Sequence, residues 1–84
     1  MAVTAWVSLE TGKNGTRGAT IHYSLAADSN VKIEMFDVIG RKVCTLLPGE
    51  RQTAGWYEIF WDGTCREGNK LDDGSYLYRL STEE

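Results

Sequence analysis

Four carboxylates fall in one short stretch, WDGTCREGNKLDD (61–73): Asp62, Glu67, Asp72 and Asp73. Residues of this type, gathered together, offer two chemistries. One is an oxygen shell for calcium. The spacing departs from an EF-hand loop, which supplies ligands at alternate positions and a bidentate Glu at the twelfth. The other is a general acid and base facing each other across a sugar. That needs carboxyls held about 5 to 9 Å apart across a cleft, and a loop on an 84-residue chain offers no such cleft. Asp62-Gly63 and Asp73-Gly74 have a simpler reading. The carboxylate accepts backbone N–H groups at the start of a turn, and the glycine supplies the backbone angle that follows. The stretch therefore reads as turn chemistry, with no metal ligands and no cofactor expected.

The other reactive groups are sparse. His22 is the single histidine; it alternates with Ile21 and Tyr23 and so faces outward, with no nucleophile to serve. Cys44 and Cys65 lack a CxxC spacing and a set of histidines, which argues against a zinc site. A disulfide between them suits a secreted domain, but spacing alone does not give the required geometry, and the pairing stays open. Asn14-Gly15-Thr16 is formally a glycosylation sequon and reads here as a turn. No catalytic residue emerges.

The elements that must position these residues are strands. Apolar and polar residues alternate with period two over 3–9, 19–25, 31–37, 56–61 and 75–80, the mark of half-buried strands, and 41–47 is a further short run, β-branched in part. Gly, Asn and Asp punctuate the gaps, and Pro48 is expected at a strand end where its missing N–H does no harm. One domain spanning 1–84 is the natural count. Six or seven short antiparallel strands with one apolar face predict an all-β, immunoglobulin-like β-sandwich. A domain of this size has few apolar residues to spare for a deep pocket. Nine Lys and Arg against twelve Asp and Glu give a net charge of -3, which leaves no basic footprint for nucleic acid. No run approaches the roughly 18 apolar residues of a membrane helix, and the first residues lack the pattern of a signal peptide.

Alternation also sorts the aromatics. Trp61 continues the Tyr57–Ile59 face and is assigned to the core, as is Tyr76 of the last strand. Trp56 and Phe60 share the opposite face of their strand with Glu58, where polar residues are expected. Leu77 takes the outward face of the last strand. If those two strands pair, Trp56, Phe60 and Leu77 make one exposed apolar patch, of the kind that marks an interaction site. Its occupant is a loop or neighbouring domain of the same chain, another protein, or a carbohydrate stacked on the rings. Trp6 has the same ambiguity on the first strand.

The segments ATIHYSL, VKIEMFDVIGRKVCTLLPGERQTAGWYEIFWDG and GNKLDDGSYLYRL (within 19–81) together resemble a known module. It is the immunoglobulin-like domain of the flagellar hook-capping protein family, related to the C-terminal sorting domains of type IX secretion. The ordered set carries the resemblance: a Thr-Ile-x-Tyr-x-Leu strand, a Val-x-Ile-x-x-Phe-Asp strand, Gly-Arg-x-Val, Ala-Gly, then Trp61-Asp62-Gly63, and Gly74-x-Tyr76-x-Tyr-Arg-Leu. Sorting members usually carry an Asn-Pro-Phe-Asn-Pro-like stretch before the first of these strands; here the region reads LETGKNGTRG, and the chain ends in STEE. The resemblance implies a non-catalytic structural module of a larger secreted or surface-assembled bacterial protein. Its partners would be a neighbouring domain or another subunit, and its location extracellular or at the cell surface. A sorting or anchoring domain and a carbohydrate-binding module are the alternatives.

Overall fold

A computed structural model describes residues 2–12, 15 and 17–84. Asn14 and Thr16 of the sequon lie outside the described residues. Six strands form: β1 (Ala2–Thr11), β2 (Arg17–Leu25), β3 (Ser29–Phe36), β4 (Lys42–Gln52), β5 (Gly55–Trp61) and β6 (Gly74–Glu83). No helix is present among the described residues. The fold is all-β and immunoglobulin-like. The strands make one curled sheet in the order β4-β3-β6-β1-β2-β5, with every neighbouring pair antiparallel.

Alternation becomes packing most plainly in β3. Ser29, Val31, Ile33 and Met35 are buried, while Asn30 and Lys32 are exposed. Removing Val31, Ile33 and Met35 from water stabilises the fold by about 1.5–3 kcal/mol each, while the buried Ser29 hydroxyl donates to the Ala27 carbonyl. β1 follows β6 over eight residue pairs, from Ala2↔Ser81 to Leu9↔Gly74. Its contact with β2 shrinks to two pairs, Glu10↔Gly18 and Thr11↔Arg17. The sheet curls at this seam. The β2–β5 ribbon then lays Leu25, Trp61 and the half-buried Tyr23, Tyr57 and Ile59 against Leu9, Val31, Ile33, Met35 and Leu80.

Gly18 makes the seam feasible. Its φ is +147°, and an added Cβ would lie 2.7 Å from the carbonyl oxygen of Trp61 and run into the ring of Phe60. Both the backbone angle and the close approach demand glycine there.

β4 differs from its expected end. The strand does not stop near residue 47; it continues to Gln52. Its pairing with β3 shifts register at three places, and between Glu50 (opposite Val31) and Pro48 (opposite Lys32) Gly49 is passed over. Gly49 has φ +114°. An extra residue of this kind bends a strand without ending it, so Pro48 lies within an edge strand at a bulge, a position that tolerates the missing N–H.

Candidate functional site

The 62–73 connection is fixed by contacts that reach four strands. Cys65 is bonded to Cys44 of β4, with Cα atoms 5.2 Å apart. One residue along β4, Glu67 accepts the Thr45 amide at 3.0 Å and its hydroxyl at 2.8 Å, while the Arg66 amide donates to the Thr45 carbonyl. At the other end Asp73 accepts from Arg17 Nε at 2.7 Å and from Thr11 Oγ1 at 3.0 Å. Arg17 also donates to the Leu71 carbonyl. Asp62 Oδ1 takes the Thr64 amide at 2.9 Å, and Gly63 follows with φ +92°. An added Cβ on Gly63 would lie 2.8 Å from Leu9. Gly74 begins β6, and the Tyr76 hydroxyl donates to the Asp72 carbonyl.

Electrostatics agree with this division of tasks. The Thr45 hydroxyl and amide hold the Glu67 carboxyl below its ordinary range. Arg17 and then Thr11 do the same for Asp73, and the Thr64 amide for Asp62. Each stays ionised because its charged form is the one that accepts these bonds. The acidic residues thus fasten the loop at separate points. Among the described residues, the group of His, Cys, Asp and Glu side chains close enough to share an ion is Cys44, Cys65 and Glu67. Both its sulfurs are engaged in the disulfide and its carboxylate is engaged by Thr45.

Trp61 is 1% exposed and meets Tyr76 edge-on at 5.7 Å between ring centres. Its indole N–H finds no hydrogen-bond partner. Leaving such a group unmade costs about 1–3 kcal/mol, which the burial of so large a ring offsets.

The outward side of the β2–β5 ribbon has another character. Register sets Ser24 beside Trp56, His22 beside Glu58, and Thr20 beside Phe60. Trp56 is 89% exposed and Phe60 57%. Between them, His22 Nδ1 lies 3.7 Å from a Glu58 oxygen, with both side chains largely exposed. Beneath this face, Tyr23 and Tyr57 stack at 5.2 Å, and the Tyr57 hydroxyl donates to the Thr53 carbonyl.

Leu77 does not join this face. β5 pairs with β2, whereas β6 lies between β1 and β3. Leu77 is half-buried and sits opposite Trp6 on one side and Phe36 on the other. The single patch of Trp56, Phe60 and Leu77 therefore separates into two surfaces, because the strands that carry them are not neighbours. A groove of about 710 Å³, lined in part by Lys32, Pro48 and Arg79, opens on the β3–β4–β6 side.

Several features were not anticipated from sequence. Thr45–Glu67 and Arg17–Asp73 span 22 and 56 residues, beyond any local pattern. The exposed Val38–Ile39 tip is held by Asp37, which accepts the amides of Ile39 and Arg41 and the Arg41 guanidinium. An Asp four residues before an Arg across a glycine turn was the available signal.

The family model described as the FlgD Ig-like domain matches residues 8–84. The chain belongs to the FlgD Ig-like domain family. As a member of that family it also resembles part of several curated bacterial proteins. It is 38% identical to a PII-type proteinase of Lacticaseibacillus paracasei, over 71% of this chain and 4% of that protein. It is 37% identical to a PI-type proteinase of Lactococcus lactis subsp. cremoris, with the same coverage. The chain spans about 4% of the length of these relatives.

Proposed function

We propose that this FlgD Ig-like domain is a non-catalytic interaction module of a larger secreted or surface-exposed bacterial protein. Its outward β2–β5 face contacts a neighbouring domain or another subunit. The observation that carries this reading is Trp56, 89% exposed on a terminal strand. A tryptophan held in water by a rigid sheet contributes nothing to the core, yet it is the residue type most often found at the energetic centre of interfaces. The small share of each relative that the chain spans supports the view of a module within a long protein. The Cys44–Cys65 bond fits an oxidising compartment.

A photoreactive phenylalanine analogue in place of Trp56, carried in the full-length protein, tests the proposal. Cross-links from position 56 to another domain or subunit are expected. Recovery of solvent-quenched product alone would refute it. A second reading has one feature in its favour: Trp56 and Phe60 lie about 13 Å apart along the strand and flank the Glu58 carboxylate, an arrangement suited to stacking on separate sugar rings. Retention on insoluble polysaccharide that is lost in Trp56→Ala would favour carbohydrate. No retention of the unmodified chain removes that class.

A further inference from the structure

A curled sheet that does not close leaves two edges, and each presents backbone N–H and C=O groups to any passing strand. At β4 that opportunity is withdrawn. Its pairing with β3 shifts at three places, Pro48 supplies no donor, and both backbone polar groups of Thr45 are taken by Glu67 and Arg66. At β5 it is left open. Seven consecutive pairs with β2, from Leu25↔Gly55 to Ala19↔Trp61, run without a register shift. The strand contains no proline, lysine or arginine. Among the described residues, none beyond β2 bonds to its backbone. Tyr57 and Ile59, which belong to the core side of β5, are only half-buried, and one more strand beside them would complete their cover.

We infer that β5 takes up an extended segment of a partner polypeptide as a seventh strand. The partner segment carries apolar, basic and apolar residues opposite Trp56, Glu58 and Phe60. This rests on the interaction-module reading above and specifies its mode. The chemistry of the segment follows from the strand. Residues directly opposite in an added strand come within about 5 Å of their partners. Trp56 and Phe60 therefore select apolar neighbours, and Glu58, central among the seven residues, selects Lys or Arg. A second copy of β5 is a poor match. Centred antiparallel pairing would set Trp56 beside Phe60 but Glu58 against Glu58, and like charges directly opposite are destabilising. Shifting by two residues relieves the charges only by setting Trp56 beside Glu58.

The test titrates the isotope-labelled 84-residue chain with an acetylated, amidated peptide, Thr-Val-Val-Lys-Val-Val-Thr, followed by NMR. Two control peptides carry central glutamate or N-methylated valines. The lysine peptide is expected to shift and protect the amides of 55–61, the glutamate peptide to bind more weakly, and the N-methylated peptide to lose binding. Glu58→Lys, a change at an exposed side chain, is expected to lower affinity for the lysine peptide roughly fivefold and raise it for the glutamate peptide by a similar factor. Three results overturn the inference: no binding of the lysine peptide at millimolar concentration, equal binding of the N-methylated peptide, or protection of 55–61 that rises with protein concentration alone. The last assigns the edge to a second copy. If position 56 still cross-links in the full-length protein while these peptide results fail, the interaction module stands and strand addition falls. Absence of the cross-links removes the module reading itself.

Discussion

β4 ends the sheet on one side with three register shifts, Pro48 and a loop anchored through Cys65 and Glu67. β5 ends it on the other with seven unbroken pairs and two exposed aromatics. Even the charges differ in use. On β4, Lys42 lies 3.0 Å from Glu34 of β3, a charged cover on an edge. On β5, Glu58 lies 3.7 Å from His22, with both side chains largely in solvent. The difference teaches where this fold spends its constraints. A chain of this length has one core and few means to stabilise it, and the cross-link and the Thr45–Glu67 clamp gather on one edge while the other is left regular and accessible.

The largest effect should come from undoing the guarded edge. Reducing Cys44–Cys65, or replacing both by Ala, frees a link between residues separated by 21 positions. Stability should drop by about 3 kcal/mol, read by denaturant unfolding, with faster amide exchange at Thr45. Unchanged unfolding and exchange would show that the loop is held without the bond.

Next is the seam that joins β5 to the rest. Gly18→Ala places a methyl group against Phe60 and the Trp61 carbonyl at φ +147°. A loss of about 2 kcal/mol is expected, accompanied by NMR shifts at Phe60. A neutral result would mean that the ribbon can move away from β1 without cost.

A smaller effect concerns acid. Glu67, Asp73 and Asp62 have pKa values lowered in the folded chain by Thr45, Arg17 and Thr64 respectively. A lowered folded-state pKa contributes stability that is complete above the unfolded value of about 4 and is lost as pH falls through the folded value. Thermal midpoints should therefore decline below pH of about 4.5, with loop amides exchanging first. Glu67→Gln should flatten that decline. An unchanged pH profile in the variant would remove Glu67 from the account of the guarded edge.

The smallest effect on stability is expected where the proposed function lies. Trp56→Ala should change unfolding free energy by no more than about 0.5 kcal/mol, since the ring is 89% exposed. A larger loss would give Trp56 a structural task and weaken its claim as a contact residue.

The strands were legible because period-two alternation is written locally, and the order of short motifs from Ile21 to Leu80 pointed to the immunoglobulin-like family. Trp61, Asp62 and Gly63 could be read together because a strand end and its turn are adjacent in sequence. What was not legible depends on pairing between distant segments. Leu77 is half-buried, as are Tyr76 and Tyr78 on either side of it, and nothing within SYLYRL says that β6 lies between β3 and β1 and not beside β5. The continuation of β4 past Pro48 was hidden because a proline and a glycine in a row read as a turn until a bulge is known to absorb them. The Cys44–Cys65 pairing depended on the loop folding back over β4, which composition does not record.

Amide exchange along both edges, compared between the isolated chain and the full-length protein, tests the contrast most directly. The account predicts that residues 55–61 gain protection in the full-length protein while Val43 to Leu46 exchange equally in both. Protection gained at β4, or at neither edge, would contradict it.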